Sequence, residues 1–218
     1  RASATPALYT RVWSPEARSA DRLRGGVQLS MSNSGNNRIV NLGVPRTLVN
    51  GAGHTIGGGG QIGLDGLGLV NLGVIAATQP APLTINTANT LVLDNDGTLR
   101  AGSGSTLAVL DSTVENVGGT ILADDGGTVR FELGSVVGGT LASIGTGQFL
   151  TTGNDTTFAD LELDGVLRMP DNAGAIVSGT ITNLGTWSMQ AVNNLTDLQL
   201  ASGTVGFSGS GVLSMSSS

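Results

Sequence analysis

The chain has 218 residues and a formal net charge of −6, with ten arginines against sixteen acidic residues, no lysine and no cysteine. The lack of cysteine excludes a disulfide framework and a thiolate metal site, and the lack of lysine excludes a phosphate-binding loop. Four Phe, two Trp and one Tyr are too few for a broad globular core, whereas 35 glycines suit a thin core lined by small aliphatic side chains.

Positive charge is concentrated at the start of the chain. Residues 1–46 hold seven arginines and two acids, which gives +5, and residues 47–218 hold three arginines and fourteen acids, which gives −11. An acidic body binds nucleic acid poorly, because phosphates need clustered cations. The longest apolar run, Gly66–Ala77, is interrupted by Asn71 and is shorter than the ~20 residues that span a bilayer. We therefore expect neither nucleic-acid binding nor a membrane span.

Residues 1–25 do not follow the repeat pattern of the rest. Ser14 is a suitable N-cap, Pro15 and Glu16 suit the first turn of a helix, and Gly25 suits its end, so the pattern predicts a short helix over Pro15–Arg24. We expect residues 1–25 to form a cap or linker and residues 26–218 to form one module. The start at Arg1, without a signal peptide, predicts a fragment or processed form of a longer protein.

A glycine followed by Thr or Val and then an apolar residue recurs along the module. These anchor glycines follow one another at a slightly variable spacing: Gly73, Gly97, Gly119, Gly139, Gly165, Gly185 and Gly211. An asparagine often precedes the anchor, where its amide can bond the backbone of a corner and the asparagine of the next coil: Asn71, Asn95, Asn116 and Asn183. Such a recurrence is typical of a solenoid with corners of variable length.

Two near-copies within residues 97–141 show one coil most clearly. The predicted strands are Thr98–Ala101, Thr106–Leu110, Thr113–Val117, Thr120–Ala123, Thr128–Glu132 and Val136–Val137. Runs this short bury an apolar face only by stacking on neighbouring coils. The sequence therefore predicts an all-β fold, a right-handed parallel β-helix of eight or nine coils. The inward side chains should be Leu107, Val109, Val129, Phe131, Leu161 and Leu163.

A longer repeat links the two ends. Gly26–Ser32 reads GVQLSMS, and Gly211–Ser216 reads GVLSMS. This match predicts one unit of a tandem array with an open C-terminal coil. The expected partners are other copies or adjacent modules stacked end to end, which allows a filament.

The repeat strings resemble those of filamentous-haemagglutinin and autotransporter-passenger proteins of bacterial surfaces. They are TLVNGAGHTIGGGGQIG and GLGLVNLGVIAA within residues 47–77, and then NDGTLRAGSGSTL, DGVLRMPDNAG and GTITNLGTWSM. The resemblance covers residues 26–218 and implies a secreted β-helix at the bacterial cell surface. It also implies a shaft or adhesive role, with a host or cell-surface glycan or protein as a further possible partner.

One stretch is compatible with catalysis. Asp160, Glu162 and Asp164 alternate with Ala159, Leu161 and Leu163, which places three carboxylates on one outer face. A carbohydrate-active β-helix, lyase or hydrolase, uses such a row, but it also needs a base or cationic partner, for which Arg168 is the nearest candidate. A solvated face is the favoured interpretation, and an enzyme would also need aromatic platforms for sugars.

Two loops are weak candidates for Ca²⁺. They contain Asp94 and Asp96 in one case and Asp124 and Asp125 in the other. Calcium takes six or more oxygen ligands, which neither loop supplies unaided, and Asp-Gly is also ordinary corner chemistry. We expect no cofactor.

Other catalytic patterns are excluded. His54 is the only histidine and has no cysteine or G-x-S-x-G partner for a triad. The residues Gly58, Gly60 and Gly63 match G-x-G-x-x-G, but residues 64–68 cannot begin the helix that a dinucleotide site requires. The sequence therefore favours a non-enzymatic extracellular structural or adhesive module.

Overall fold

The computed structural model of the chain describes residues 20–23, 26, 28–87, 91–153 and 156–216. The strands pair in parallel with the matching strands of the preceding and following coils, and they wind into an all-β solenoid of about eight turns. The described residues contain no helix. The parallel β-solenoid predicted from the repeats is thus confirmed, while the hand of the coil stays a prediction.

Each complete turn runs across three faces. One strand precedes the first complete turn: β1 (Ala20–Leu23). Turns one to four contain β2 (Gln28–Ser30), β3 (Arg38–Val40), β4 (Arg46–Asn50), β5 (Thr55–Gly58), β6 (Gly60–Gly63), β7 (Leu67–Asn71), β8 (Val74–Ala77), β9 (Leu83–Ile85), β10 (Val92–Asn95), β11 (Thr98–Ala101) and β12 (Thr106–Glu115).

Turns five to eight follow the same order, and two strands lie beyond them. They are β13 (Thr120–Ala123), β14 (Thr128–Val137), β15 (Thr140–Ser143), β16 (Gln148–Thr151), β17 (Thr156–Ala159), β18 (Glu162–Asp164), β19 (Val166–Met169), β20 (Gly174–Ser178), β21 (Thr180–Asn183), β22 (Thr186–Gln190), β23 (Asp197–Leu200), β24 (Gly206–Ser208) and β25 (Val212–Ser216).

The first face is a nine-stranded sheet, which contains β2, β5, β8, β11, β13, β15, β18, β21 and β24. The second face runs from β3 to β25 and the third from β1 to β23, and β12 and β14 belong to both because each bends between them. Corner A joins the first face to the second, and corner B joins the second face to the third. Corner C joins the third face of one turn to the first face of the next turn.

The bends in β12 and β14 merge strands that the sequence predicted as separate. Asp111 has a φ of 44° in β12, and Leu133 and Gly134 have φ values of 61° and 93° in β14, so one or two left-handed residues turn the chain at corner B. Pairing between the two strands continues on both sides of Asp111 and Leu133, from Thr106↔Thr128 to Glu115↔Val137.

One apolar core fills the solenoid from Met31 to Met189. The six side chains predicted to point inward are all at most 3% exposed: Leu107, Val109, Val129, Phe131, Leu161 and Leu163. This confirms the predicted alternation, in which every second residue of a strand faces the axis.

The glycine-rich run is a structural corner, as expected. Gly58, Gly60 and Gly63 have φ values of 127°, 141° and 108°, which side chains rarely tolerate. A Cβ at Gly60 or Gly63 would collide with the carbonyl oxygen of Asn37 or Asn86 on a neighbouring turn. Strand β6 ends in a turn and not in a helix.

The helix predicted over Pro15–Arg24 is wrong where the structure describes it. Ala20–Leu23 form β1, which pairs in parallel with Thr47–Asn50 of β4. The edge of the third face offers unpaired backbone groups, and pairing with them outweighs weak local helix signals. Residues 15–19 and 24 lie outside the described residues.

The matching strings Gly26–Ser32 and Gly211–Ser216 do not lie on the same face of the solenoid. The strand after Gly26 is β2 on the first face, whereas the strand after Gly211 is β25 on the second face. The same alternation of apolar and polar residues suits any face of a solenoid, so a short string does not specify which face it occupies.

Candidate functional site

The acidic row lies at corner C and on the first face. Leu161 and Leu163 are buried, while Asp160 and Asp164 are exposed and Glu162 is half-buried, so the carboxylates point outward as the alternation predicts. Asp160 lies at the corner itself with a φ of 50°, and its Oδ1 accepts a hydrogen bond from the amide of Thr180 at 2.9 Å. The carboxylate of Asp160 therefore connects its own turn to the next turn by a hydrogen bond.

The neighbours of the other two carboxylates are small. Thr140 and Thr182 flank Glu162 in the sheet, and Ala142 lies beside Asp164. Arg168 lies around corner A on β19, and the ion pairs found among the described residues, Arg100–Asp124 and Arg130–Glu132, do not include it. Catalysis by Asp160, Glu162 and Asp164 stays the alternative interpretation, and a solvated acidic face stays the favoured one.

The calcium candidates lie at two different corners. Asp94 and Asp96 lie at the end of β10 near corner C, whereas Asp124 and Asp125 lie at corner A. The described residues bring no three His, Asp or Glu side chains together in a way that could hold a metal ion.

Asp124 and Asp125 have partners within the protein. Arg100 donates from Nε to Oδ2 of Asp124 at 2.7 Å. Thr146 donates its amide and its hydroxyl to Oδ1 of Asp125, both at 2.8 Å, and these bonds lower the pKa of Asp125. Both carboxylates connect one turn to a neighbouring one.

Asp171 is a stronger example of the same arrangement, and no local pattern in the sequence indicates it. Its Oδ1 accepts the amides of Val192, Asn193 and Asn194 at 2.8, 3.1 and 2.9 Å, and its Oδ2 accepts the side-chain amide of Asn194 at 2.8 Å. These bonds, the amide of Val192 first, lower the pKa of Asp171 to about 2. The partners lie one coil further along the chain, so only the coil period could have indicated this contact.

A buried ladder of asparagine side chains runs along corner C. Asn50 donates to Asn71 at 2.7 Å, Asn71 to Asn95 at 2.6 Å, and Asn95 to Asn116 at 2.6 Å, and all four residues are fully buried. The ladder predicted for Asn71, Asn95 and Asn116 is thus present. Asn183 lies instead at corner A, where it bonds the carbonyl of Val212 and the amide of Gly185.

His54 terminates this ladder. Its Nδ1 lies 2.6 Å from Oδ1 of Asn50, an oxygen that can only accept, so Nδ1 carries the proton. Burial lowers the pKa of His54, which favours the neutral ring in this role.

The aromatic side chains are largely internal. Phe131, Phe149, Phe158 and Trp187 are at most 1% exposed and form a continuous series of ring contacts, and Trp187 extends it to Phe207. Phe207 is 42% exposed, and it is the one exposed aromatic residue of the described part of the chain. Tyr9 and Trp13 lie outside that part. The described walls therefore lack the row of aromatic platforms on which a sugar chain would stack.

A shallow hollow lies at the C-terminal end of the rod, next to the loop that Asp171 holds. Its lining is mainly aliphatic and hydroxyl: Met189, Ala191, Thr196, Met215 and Ser216. These lining residues include no titratable side chain, so the hollow offers no acid or base for chemistry.

A comparison with protein-family models, curated proteins and solved structures finds no match for this chain. Among the described residues, no helix is long and apolar enough to cross a membrane. Any functional conclusion therefore depends on the fold and on the residues themselves.

Proposed function

We propose that this chain is a non-enzymatic extracellular module that forms the shaft or the adhesive surface of a larger secreted surface protein or fibre. The observation that carries the proposal is the continuous apolar core, which runs along the axis from Met31 to Met189. Such a filled solenoid extends along one axis by adding turns, and this extension is what a shaft requires.

The polar residues support the same function. The asparagine ladder and the aspartates at the corners join successive turns, so their hydrogen bonds resist separation of the turns along the axis. Resistance in this direction matters for a shaft, because a load applied at one end passes through every turn. The repeat strings that resemble bacterial surface proteins favour a location outside the cell and a glycan or protein ligand on the faces.

Surface labelling tests the location. An antibody raised against the chain should label intact cells of the source without permeabilisation. Labelling only after permeabilisation would overturn an extracellular function.

The alternative is a carbohydrate-active β-helix, and the outward positions of Glu162 and Asp164 are the observation that favours it. The test is incubation with acidic and neutral polysaccharides, with product release measured for the unaltered protein and for the Glu162→Gln/Asp164→Asn variant. Under our proposal neither protein releases product. Release by the unaltered protein that the double substitution abolishes would establish the enzyme and overturn the structural function.

A further inference from the structure

The two ends of the described solenoid together contain the strands of one further turn. Eight complete turns run from β2 to β23. The three remaining strands are β1 on the third face, β24 on the first and β25 on the second. The last described strand, β25, lies on the second face, and the first described strand, β1, lies on the third face. The third face follows the second in every turn, so β1 of one copy lies on the face that would come next after β25 of another.

The C-terminal end exposes apolar side chains that a further turn would cover. Met215 is 74% exposed, whereas Met189, its partner one turn earlier, is 6% exposed. Other large apolar side chains on the last strand of each face are also exposed: Leu200, Phe207, Val212 and Leu213. Burial of such surfaces is the main driving force of protein association.

The N-terminal end continues the same columns. Tracing the pairings of the second face from turn to turn connects Met215 with Ile39 and Ser214 with Arg38. Ile39 on β3 and Leu29 on β2 are half-buried and pack against the core from this end. If a second copy were stacked on this one, the apolar column at one end would therefore continue the apolar column at the other.

We propose that the C-terminal end of this chain binds the N-terminal end of a second copy. Strands β2 and β3 of the second copy stack on β24 and β25 of the first, and β1 of the second copy lies over β23 and completes the shared turn. This inference rests on the proposed shaft function and specifies its partner. The contact joins two different surfaces, so it does not close on itself and permits a filament.

Cysteine cross-linking tests the stacking, because the chain has no cysteine of its own. Adjacent parallel strands lie about 4.8 Å apart, which is within the ~4.4–6.8 Å that a disulfide spans between Cα atoms. A mixture of the Ser214→Cys and Arg38→Cys variants should form a mixed disulfide dimer under mild oxidation, and the double variant should form a ladder of multimers. The control pairs Arg38→Cys with Ser188→Cys, which lies in the same column one turn inside the rod and should not cross-link.

Each alternative contact gives a different product. Dimers of Ser214→Cys alone would show that two C-terminal ends meet, and absence of any cross-link would show that the ends do not meet; both overturn the proposal. Met215→Arg should lower the yield of mixed dimer at least tenfold, whereas Val117→Arg, which alters a side chain 68% exposed on the flank, should leave it unchanged. Failure of these tests for a protein that still labels on intact cells would leave the structural function standing without self-assembly.

Discussion

The asparagine side chains at corner C show how a polar group becomes stabilising inside a narrow core. The amides of Asn50, Asn71 and Asn95 each donate to the side-chain oxygen of the next asparagine at 2.6 or 2.7 Å. Backbone carbonyls accept further bonds, as when Asn71 also donates to the carbonyl of Thr98 at 3.2 Å. A buried amide without these partners would be costly, so the ladder also fixes the register of the turns.

Removing one rung should therefore destabilise the protein. The substitution Asn95→Ala deletes the bonds to Asn71 and Asn116 and leaves buried polar atoms unpaired, which costs about 1–3 kcal/mol in the free energy of unfolding. Denaturant unfolding measures this change. Asn193→Ala is the control, because its side chain is exposed and should alter the free energy by less than about 0.5 kcal/mol. Equal effects of the two substitutions would contradict a structural role for the ladder.

Asp171 predicts a pH dependence of stability. Its pKa is lowered from 3.8 to about 2 in the folded protein, so the native state binds its proton less readily than the unfolded chain does. The stabilisation is fully present above about pH 4 and is lost as the pH falls through 2. Thermal unfolding at pH 5 and at pH 2.5 should show a smaller loss of Tm for Asp171→Asn than for the unaltered protein.

The substitution Asp164→Asn is the control for this measurement. Asp164 is exposed, and no hydrogen bond to its side chain is found among the described residues. Its pH profile should follow that of the unaltered protein. A flattened profile in both variants would show that general charge, and not the bonds to residues 192–194, sets the dependence.

At the scale of the elements, the anchor glycines occupy two corners and not one. Gly73, Gly97, Gly119 and Gly139 precede strands of the first face at corner C, whereas Gly165, Gly185 and Gly211 precede strands of the second face at corner A. Within each group the glycines approach the turn before them closely, and a Cβ at Gly97 or Gly185 would collide with the carbonyl of Gly73 or Gly165. Glycine is suited to both corner A and corner C because, at each corner, the backbone of the preceding turn leaves no room for a Cβ.

An alanine at an anchor should separate adjacent turns. In Gly119→Ala the new Cβ would contact the carbonyl of Asn95 and lie 2.8 Å from Oδ1 of Asn116, so backbone and ladder must both shift. We expect a loss of about 1–3 kcal/mol in the free energy of unfolding. Gly35→Ala is the control, since a Cβ there meets nothing within 4 Å. A neutral result at Gly119 would contradict close contact between turns at this corner.

The sequence predicts strands well where the repeat is most regular. Strands β11 and β13 begin and end where the near-copies in residues 97–141 indicate, because the anchor and the alternation together specify both their ends and their buried face. The bends at Asp111 and Leu133 were not predicted. Asp adopts the left-handed conformation more often than most residues but is as common in ordinary corners, and Leu seldom adopts it, so neither residue marks a bend inside a paired strand.

The candidate site was less predictable than the fold. Alternation correctly placed Glu162 and Asp164 on the outside, but the contacts of Asp125, Asp160 and Asp171 join residues that lie a full coil apart in the sequence. A sequence motif is local, and these bonds are created by stacking of the turns. For the same reason, the change of corner between Gly139 and Gly165 could not be read from the glycine spacing.

At the scale of the whole molecule, stability accumulates turn by turn. The nine successive strands of the first face each pair only with the strands before and after them, so the ends are the weakest part unless something covers them. Eight steps of about 4.8 Å between nine stacked strands give a rod of roughly 40 Å.

The central claim is that this module extends along its axis into a shaft. Small-angle X-ray scattering of a protein that contains two copies of the module in one chain tests this claim most directly. In this protein a copy of residues 191–196, which connect the second face to the third in turn eight, joins residue 216 of one copy to residue 20 of a second. We expect a rod of about 80 Å, twice the length of one unit, with an unchanged cross-section. A particle of single-unit length with a thicker cross-section, formed by copies lying side by side, would contradict it.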